Sequence, residues 1–388
     1  MKLVERYFLT TVTQAVFFVL AAFLALTAFM DLTAELPRIG KEGYGFHHAL
    51  LYVLMLMPGH VYETMPVAAL IGTIYAMAQF AASSEFTILR ASGMSTRMAA
   101  WILFKIGVIF VAITFVFGEL ITPRIAPLAE TLRLAMRGTT VSAEFRSGLW
   151  TKDVVRSGGT TGEITGSRFF NVRKIGEEGE LIELKLYEFD NDMRLRSLTT
   201  AARATFQGEN TWRLTDVTET RFTNSRALPK PGEPPLPLFG QETSLVATEK
   251  LATRDLVSEI TPKILSVSSS EPKRMSANEL AVYTRHLAEN RQQTERFKIA
   301  FWKKLIDPLA IFVLMALALP FAYLQTRSGG VSFKIFVGIM IGVAFMLINT
   351  LFAHVGLLSA LPAFVTAVAP SALFLLLAFY ALRWVERH

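Results

Sequence analysis

The chain has 388 residues, 52% hydrophobic and only 18% charged, with a formal net charge of +7 and no cysteine; mean hydropathy is +0.39. Its charged fraction lies below the roughly 25% of soluble domains, and the lack of cysteine excludes disulfides and thiolate metal sites. A basic balance in so apolar a chain points to anionic lipid or to charges flanking spans, and no zinc-finger, RNA-binding or basic-zipper pattern points to nucleic acid.

A membrane span needs about 20 mostly apolar residues. Residues 9–30 supply the first. That run is too long for the apolar core of a cleaved signal and lacks a small-residue cleavage site, so it reads as a retained span. Residues 49–82 supply the second, longer than a crossing requires and carrying Pro58 and Pro66. It is predicted to project beyond the bilayer core or to kink where the prolines free carbonyls. Glu63 sits between those prolines, and an ionisable residue inside a span is a functional candidate; the alternative is that it satisfies a broken helix. His47-His48 and His60 could approach one another as metal ligands, or could simply lie on the surface where the helix starts.

Ser84 to Ser95 separates the second span from the third. Ser84 can cap a helix, Glu85 lies near the positive helix end, Arg90 near the negative end, and Gly93 suits a left-handed stop. This predicts a short helix over about residues 84–95, with Phe86, Ile88 and Leu89 as apolar contacts. It reads either as a plain interfacial connector or as a coupling helix that docks on a cytoplasmic motor. The third span covers residues 99–121 and is expected to end at Thr122-Pro123.

A polar stretch without spans follows, over residues 123–297. Alternating patterns predict strands at 148–155, 168–175, 181–189, 197–206, 212–222 and 243–248, separated by turn signals such as Gly158-Gly159 and Asp190-Asn191-Asp192. Their spacing suggests a sandwich or open barrel. Five prolines within 229–237 predict an extended loop. Such a block is either a folded ectodomain or an apolar slide for acyl chains. Ser276 and Glu279 form a capping-box pattern opening a polar helix over 277–298. That helix leads into spans at 306–324, 331–352 and 361–382.

Lys2, Arg6, Arg90, Arg97, Arg327, Lys334, Arg383 and Arg387 fall on one side if both termini are cytoplasmic. Arg38, Lys41, Arg291, Arg296, Lys298, Lys303 and Lys304 oppose this. Agreement between the termini and two loops favours cytoplasmic termini, with the β block outside. Basic residues then gather at the outer surface: Arg38, Lys41, Arg124, Arg133, Arg137 and the group within 291–304. They fit either snorkelling against phospholipid or recognition of phosphate through planar, charge-assisted hydrogen bonds. No Walker A or His-Glu-x-x-His pattern occurs, and Gly93 to Arg97 lacks the closing glycine of a nucleophile elbow. No catalytic residue, metal or cofactor is expected.

Met57-Pro58, Met65-Pro66-Val67-Ala68-Ala69-Leu70-Ile71-Gly72 and the segment Glu85 to Gly93 resemble the LptF/LptG permeases of the lipopolysaccharide-export ABC transporter. The order of three spans, β block and three spans extends that resemblance over nearly the whole chain. Leu89-Arg90-Ala91-Ser92-Gly93, Gly148 to Asp153 and Ala369-Pro370-Ser371-Ala372 look more like LptG members than LptF members. The resemblance implies six transmembrane helices around a periplasmic, β-jellyroll-like all-β domain. Its divisions would be 1–137 (first three spans and the coupling helix), 138–275 (β domain) and 276–388 (connecting helix and last three spans).

It also implies an LptF paralogue as partner, a dimer of the ATPase LptB below, LptC alongside and an LptA bridge towards the outer membrane. Lipopolysaccharide would enter from the outer leaflet of the inner membrane, between first and fifth spans of opposite subunits. ATP turnover in LptB would then expel it upward. Glu85, Phe86, Leu89, Arg90, Ala91 and Gly93 would form the coupling segment. Arg133 and Arg137, with Arg38, Lys41 and Arg124, are the candidates for the lipid's phosphates or inner sugars. Asp31 departs from the family, standing where LptG chains place a basic residue facing the cavity. The competing readings are a membrane-anchored periplasmic receptor or structural protein, and an intramembrane enzyme using Glu63 and His60.

Overall fold

The computed structural model describes residues 2–40, 43–136, 148–157, 162–176, 179–222, 246–262, 264–265, 271–290, 292–323, 330–359 and 361–387. Six helices are long and apolar enough to cross a membrane: Leu3–Arg38, Phe46–Ala82, Thr96–Glu130, Glu295–Ala322, Val331–Leu358 and Ala363–Val385. Three precede and three follow an all-β block, which is the fold class the sequence predicts. The chain divides into two compact units. One holds Met1–Arg133, Ser270–Arg285 and Gln293–His388; the other holds Leu134–Ser269 and His286–Gln292.

In the helical unit, α1 (Lys2–Glu35) lies against α2 (Phe46–Ala82). With 37 residues, α2 is about 55 Å long at 1.5 Å per residue, so it outruns the apolar bilayer core. It stays helical through Pro58 and Pro66, and the run Thr64–Ile74 is buried throughout. Glycines bring its neighbours close, as small residues do between membrane helices. A Cβ on Gly72 would stand 2.6 Å from Val16 Cα, and one on Gly342 would stand 2.7 Å from Val67 Cγ1. The obstacle at Gly72 is backbone. Gly72→Ala is therefore expected to cost about 1–3 kcal/mol, as overpacking does. A lowered thermal-unfolding midpoint in detergent would register it, and an unchanged midpoint would show that α1 can move away freely.

The third span continues past its predicted end. α4 (Thr96–Phe115) passes through a π-helical segment, Val116–Ile121, into α5 (Thr122–Met136). Gly118 lets the Tyr62 ring lie where a side chain would stand, 2.5 Å from an added Cβ. Pro123 follows at a place where the π segment already interrupts the regular ladder, so its missing N–H does not end the helix.

The β block is one antiparallel meander of six strands in the order β1-β2-β3-β4-β5-β6. These are β1 (Leu149–Arg156), β2 (Ile164–Ile175), β3 (Leu181–Asp190), β4 (Leu195–Gly208), β5 (Thr211–Phe222) and β6 (Val246–Val257). β6 runs nine residues beyond its predicted end, pairing with β5 along its length; residues 243–245 and the proline segment lie outside the described residues. The sheet curls until its first strands reach the chain just past its last. Ser258 Oγ donates to Asp153 Oδ2 at 2.6 Å, Arg168 Nη1 donates to the Val257 carbonyl at 3.0 Å, and Arg156 pairs with Glu259 at 2.9 Å. Trp212 fills the inside and donates its indole N–H to the Ile260 carbonyl at 2.7 Å.

A crease crosses the sheet. Arg173, Glu183, Ala202, Asp216 and Ala252 drop out of pairing at one level, and Glu183 and Asp216 take φ of 52° and 53°. The inward face changes parity there: Leu181 gives way to Leu184 and Leu186, and Leu214 to Val217 and Glu219. One skipped residue moves every later side chain to the other face, so each of β2 to β6 changes face without losing its partner.

After the sheet come α6 (Ala277–Glu289), α7 (Glu295–Ile306), α8 (Ala310–Ala318), α9 (Val331–Leu358) and α10 (Ala363–Arg387). The capping box is present: Ser276 N–H donates to Glu279 Oε2 at 2.9 Å, and Glu279 N–H to Ser276 Oγ at 3.2 Å. The predicted continuous helix to residue 298 is not. α6 ends where the Asn290 amide turns back to the His286 carbonyl at 2.9 Å, and α7 starts afresh at Glu295. Asn can satisfy a helix's last carbonyls through its own side chain, which competes with continuation.

Candidate coupling and lipid-binding sites

The first site is α3 (Glu85–Ala91), a seven-residue helix between α2 and α4. Its C-terminus is the predicted one. Gly93 takes φ 97°, its N–H reaches the Arg90 carbonyl at 2.9 Å, and the Met94 N–H reaches the Leu89 carbonyl at 3.0 Å. This pair of bonds is a Schellman stop. Its N-terminus differs: Ser84 is left-handed at φ 59° and makes no capping bond. A capping side chain needs an extended backbone at that position, and the tight turn out of α2 denies it.

The helix has an anchored face and an open one. Phe86 is 1% exposed and meets the Tyr323 ring edge-on at 4.9 Å. Leu89 packs on the same core, and the Arg90 guanidinium lies 4.8 Å from the Tyr323 ring centre. Tyr7 donates to Glu85 Oε2 at 2.9 Å, and Tyr323 donates to Thr96 Oγ1 at 2.8 Å. So Phe86 turns inward, while Ile88 is 62% exposed and Thr87 and Ala91 stand beside it. Tyr7 and Tyr323 were not singled out from sequence; each sits at a span end, where interfacial aromatics are common.

The second site lies near the far end of α1. Twenty-eight residues of helix separate Tyr7 from Glu35, or about 42 Å. Arg133 on α5 is nearly buried, its guanidinium 5.0 Å from the ring centre of Tyr52 on α2. It pairs with Glu130 at 3.1 Å and with Glu35 at 3.4 Å. Arg38 holds the same Glu35 at 2.6 Å while remaining 43% exposed. Two arginines thus share the buried Glu35 carboxylate, and Glu130 balances the second guanidinium. Arg124 is exposed one turn into α5. Lys41, Arg137 and Arg291 lie outside the described residues.

The remaining sequence candidates are tied into the fold. Asp31 meets His60 Nε2 at 2.6 Å, joining α1 to α2. Glu63 faces Lys273 at 3.7 Å. Lys304 donates to the Lys273 carbonyl at 3.1 Å and lies 4.5 Å from the Tyr62 ring centre, while Lys303 donates to Asn349 Oδ1 at 3.0 Å. Glu119, in the π segment, accepts the Ala277 N–H at 2.9 Å. His48 accepts the Gly45 N–H at 3.0 Å, a bond at the start of α2. Among the described residues no group of three or more His, Asp or Glu side chains could hold a metal.

Comparison with known proteins follows this geometry. A family model described as lipopolysaccharide export system permease LptF/LptG matches residues 6–384. The chain is 27% identical over 380 residues to the lipopolysaccharide export system permease protein LptG of Escherichia coli strain K12, covering 97% of each chain. It is 25% identical over 380 residues to the protein of the same name from Haemophilus influenzae, again over 97% of each.

Proposed function

Because the chain belongs to the lipopolysaccharide export permease LptF/LptG family, we propose that it is the LptG-type membrane subunit of an ABC transporter. It takes lipopolysaccharide from the outer leaflet of the inner membrane and passes it to a periplasmic β-jellyroll bridge. It does no catalysis of its own; a dimer of the ATPase LptB supplies the force. Both termini face the cytoplasm and the β block the periplasm. The partners are an LptF paralogue, LptC and the LptA bridge.

The observation that carries this reading is the two-faced helix α3. A connector needs no rigid seat, whereas a transmitting element does. Phe86, Leu89 and Arg90 fix one side of α3 to the bundle, and Thr87, Ile88 and Ala91 leave the other side to receive an ATPase. Support for a paired subunit comes from α1 and α9, the first and fifth spans. Each has only 17% of its most apolar window buried, against 78% for α2. The cavity would lie between such faces of two subunits.

Arg133, Arg38 and Arg124 would meet the head-group phosphates, and Lys41 and Arg137 follow Arg38 and Arg133 closely in the sequence. Arg133→Glu is expected to lower photo-cross-linking of lipopolysaccharide to the reconstituted complex by about tenfold, the worth of one charge-assisted contact. ATPase co-purification should be unchanged. Wild-type cross-linking together with wild-type export would reject the contact. Failure of any ATPase subunit to co-purify with the wild-type chain would instead favour an anchored receptor.

A further inference from the structure

A cleft of about 370 Å³ opens between α4 and α8, on spans that do not line the proposed cavity. Its floor is Ala100 and Ala316, and its walls are Trp101, Phe104 and Phe312. The Trp101 and Phe104 rings stack at 5.3 Å, and Phe104 and Phe312 at 4.8 Å. Trp101 is 57% and Phe104 43% exposed, so the slot is open to the bilayer side. It ends where Gly107 lets Phe312 approach to 2.8 Å of an added Cβ. At its mouth, one turn before Trp101 on α4, is Arg97.

We infer that this cleft binds one anionic glycerophospholipid, with an acyl chain in the aromatic slot and the head-group phosphate on Arg97, in the leaflet on the α3 side. The charge argument is direct. Among the described residues no carboxylate pairs with Arg97, in contrast to Lys105 on the same helix, which holds Glu5 at 2.7 Å. Arg97 also occupies the first turn of α4, where the helix end is itself positive and disfavours a cation. A phosphate would balance both, and guanidinium is the group that grips phosphate in a planar, two-pronged way.

Size selects the occupant. A helix with side chains is about 10–12 Å across and cannot enter a slot this small, whereas small-molecule sites start at about 300 Å³. An apolar, aromatic lining suits a flexible hydrocarbon chain. Trp101 lies where tryptophan commonly marks the head-group level.

The test uses the full transporter reconstituted in phosphatidylcholine vesicles, with a photoactivatable phosphatidylglycerol as minor component. Adducts located by peptide mass spectrometry are expected on the Trp101–Phe104 stretch. Unlabelled phosphatidylglycerol, but not extra phosphatidylcholine, should compete. Arg97→Gln should lower those adducts about tenfold and Arg97→Lys much less. Ala316→Leu, which fills the floor while leaving the charge, should lower them as well. Wild-type and variant complexes must elute and melt alike; where one does not, the other variant decides. Equal labelling of the outward residues Leu376 and Phe379 on α10, insensitivity to Arg97→Gln, or equal labelling by a phosphatidylcholine probe would overturn the site. So would a protein–protein cross-link from Trp101, which would assign the slot to a partner chain.

Discussion

Asp153→Asn is expected to remove a pH dependence of the β block's stability between about pH 4 and 6. Asp153 is fully buried at the curled edge of the sheet, and burial raises its carboxyl from 3.8 to about 6. The Ser258 hydroxyl, Arg168 and the Val154 N–H pull in the opposite direction without reversing it. A carboxyl whose folded pKa lies above its unfolded value binds more protons in the folded state. Its contribution is therefore complete below pH 3.8 and is lost as the pH rises through 6. A shift of this size corresponds to about 3 kcal/mol. Hydrogen exchange of the β1 and β6 amides in the intact chain should show protection falling over that window and then levelling. The Asn variant, nearly the same shape and never charged, should show no such fall and should exceed wild type at pH 8. Arg168 would keep Glu188 at 2.7 Å in that variant. Equal protection of wild type at pH 4 and pH 8 would refute the assignment.

Asp153 also shows what the sequence makes readable. The alternation in Gly148 to Val155 announces a strand, and Asp153 looks like one of its solvent-side residues. Its role depends on Ser258, more than a hundred positions away, and on a sheet that curls enough to bring the two together. The same limit hides the partners of Arg133, since Glu35 and Tyr52 reach it from α1 and α2. Local rules read better: Gly93 and the Ser276/Glu279 box are visible because a left-handed stop and a reciprocal cap need particular residues at fixed offsets. β6 escapes beyond residue 248 because Glu249, Lys250, Arg254 and Asp255 mask its pattern. An edge strand that is mostly exposed has no need to alternate. The crease is unreadable for a related reason. Skipping one residue in each of β2 to β6 at the same level preserves the pairing while breaking the period-two pattern that strand recognition depends on. The six spans are plain because length and apolarity alone define them, whereas their cofacial packing through Gly72 and Gly342 is not written in hydropathy.

Two substitutions in α3, Phe86→Ala and Ile88→Asp, should separate the seat of α3 from its proposed docking face. Phe86→Ala empties a fully buried aromatic site, a change that typically costs about 3–5 kcal/mol. The loss falls on a single-turn contact with Tyr323, so α3 should loosen locally before the bundle unfolds. ATPase subunits would still find Thr87, Ile88 and Ala91, and the complex should assemble. Hydrolysis should then continue with little lipopolysaccharide released, because force applied to α3 no longer reaches α2 and α4 through a rigid contact. Ile88→Asp should do the reverse. At 62% exposure its cost to folding is small, yet it puts an unpaired charge on the proposed docking face, where the few residues that dominate an interface are each worth about 2 kcal/mol or more. Recovery of the ATPase on purification should fall by tenfold or more, and the residual complex should stay coupled. Comparing lipid released per ATP with ATPase recovered distinguishes the two. If Phe86→Ala leaves that ratio at the wild-type value, α3 is a tether and the force enters the membrane elsewhere. If Ile88→Asp leaves ATPase recovery untouched, the open face of α3 is not where the motor sits.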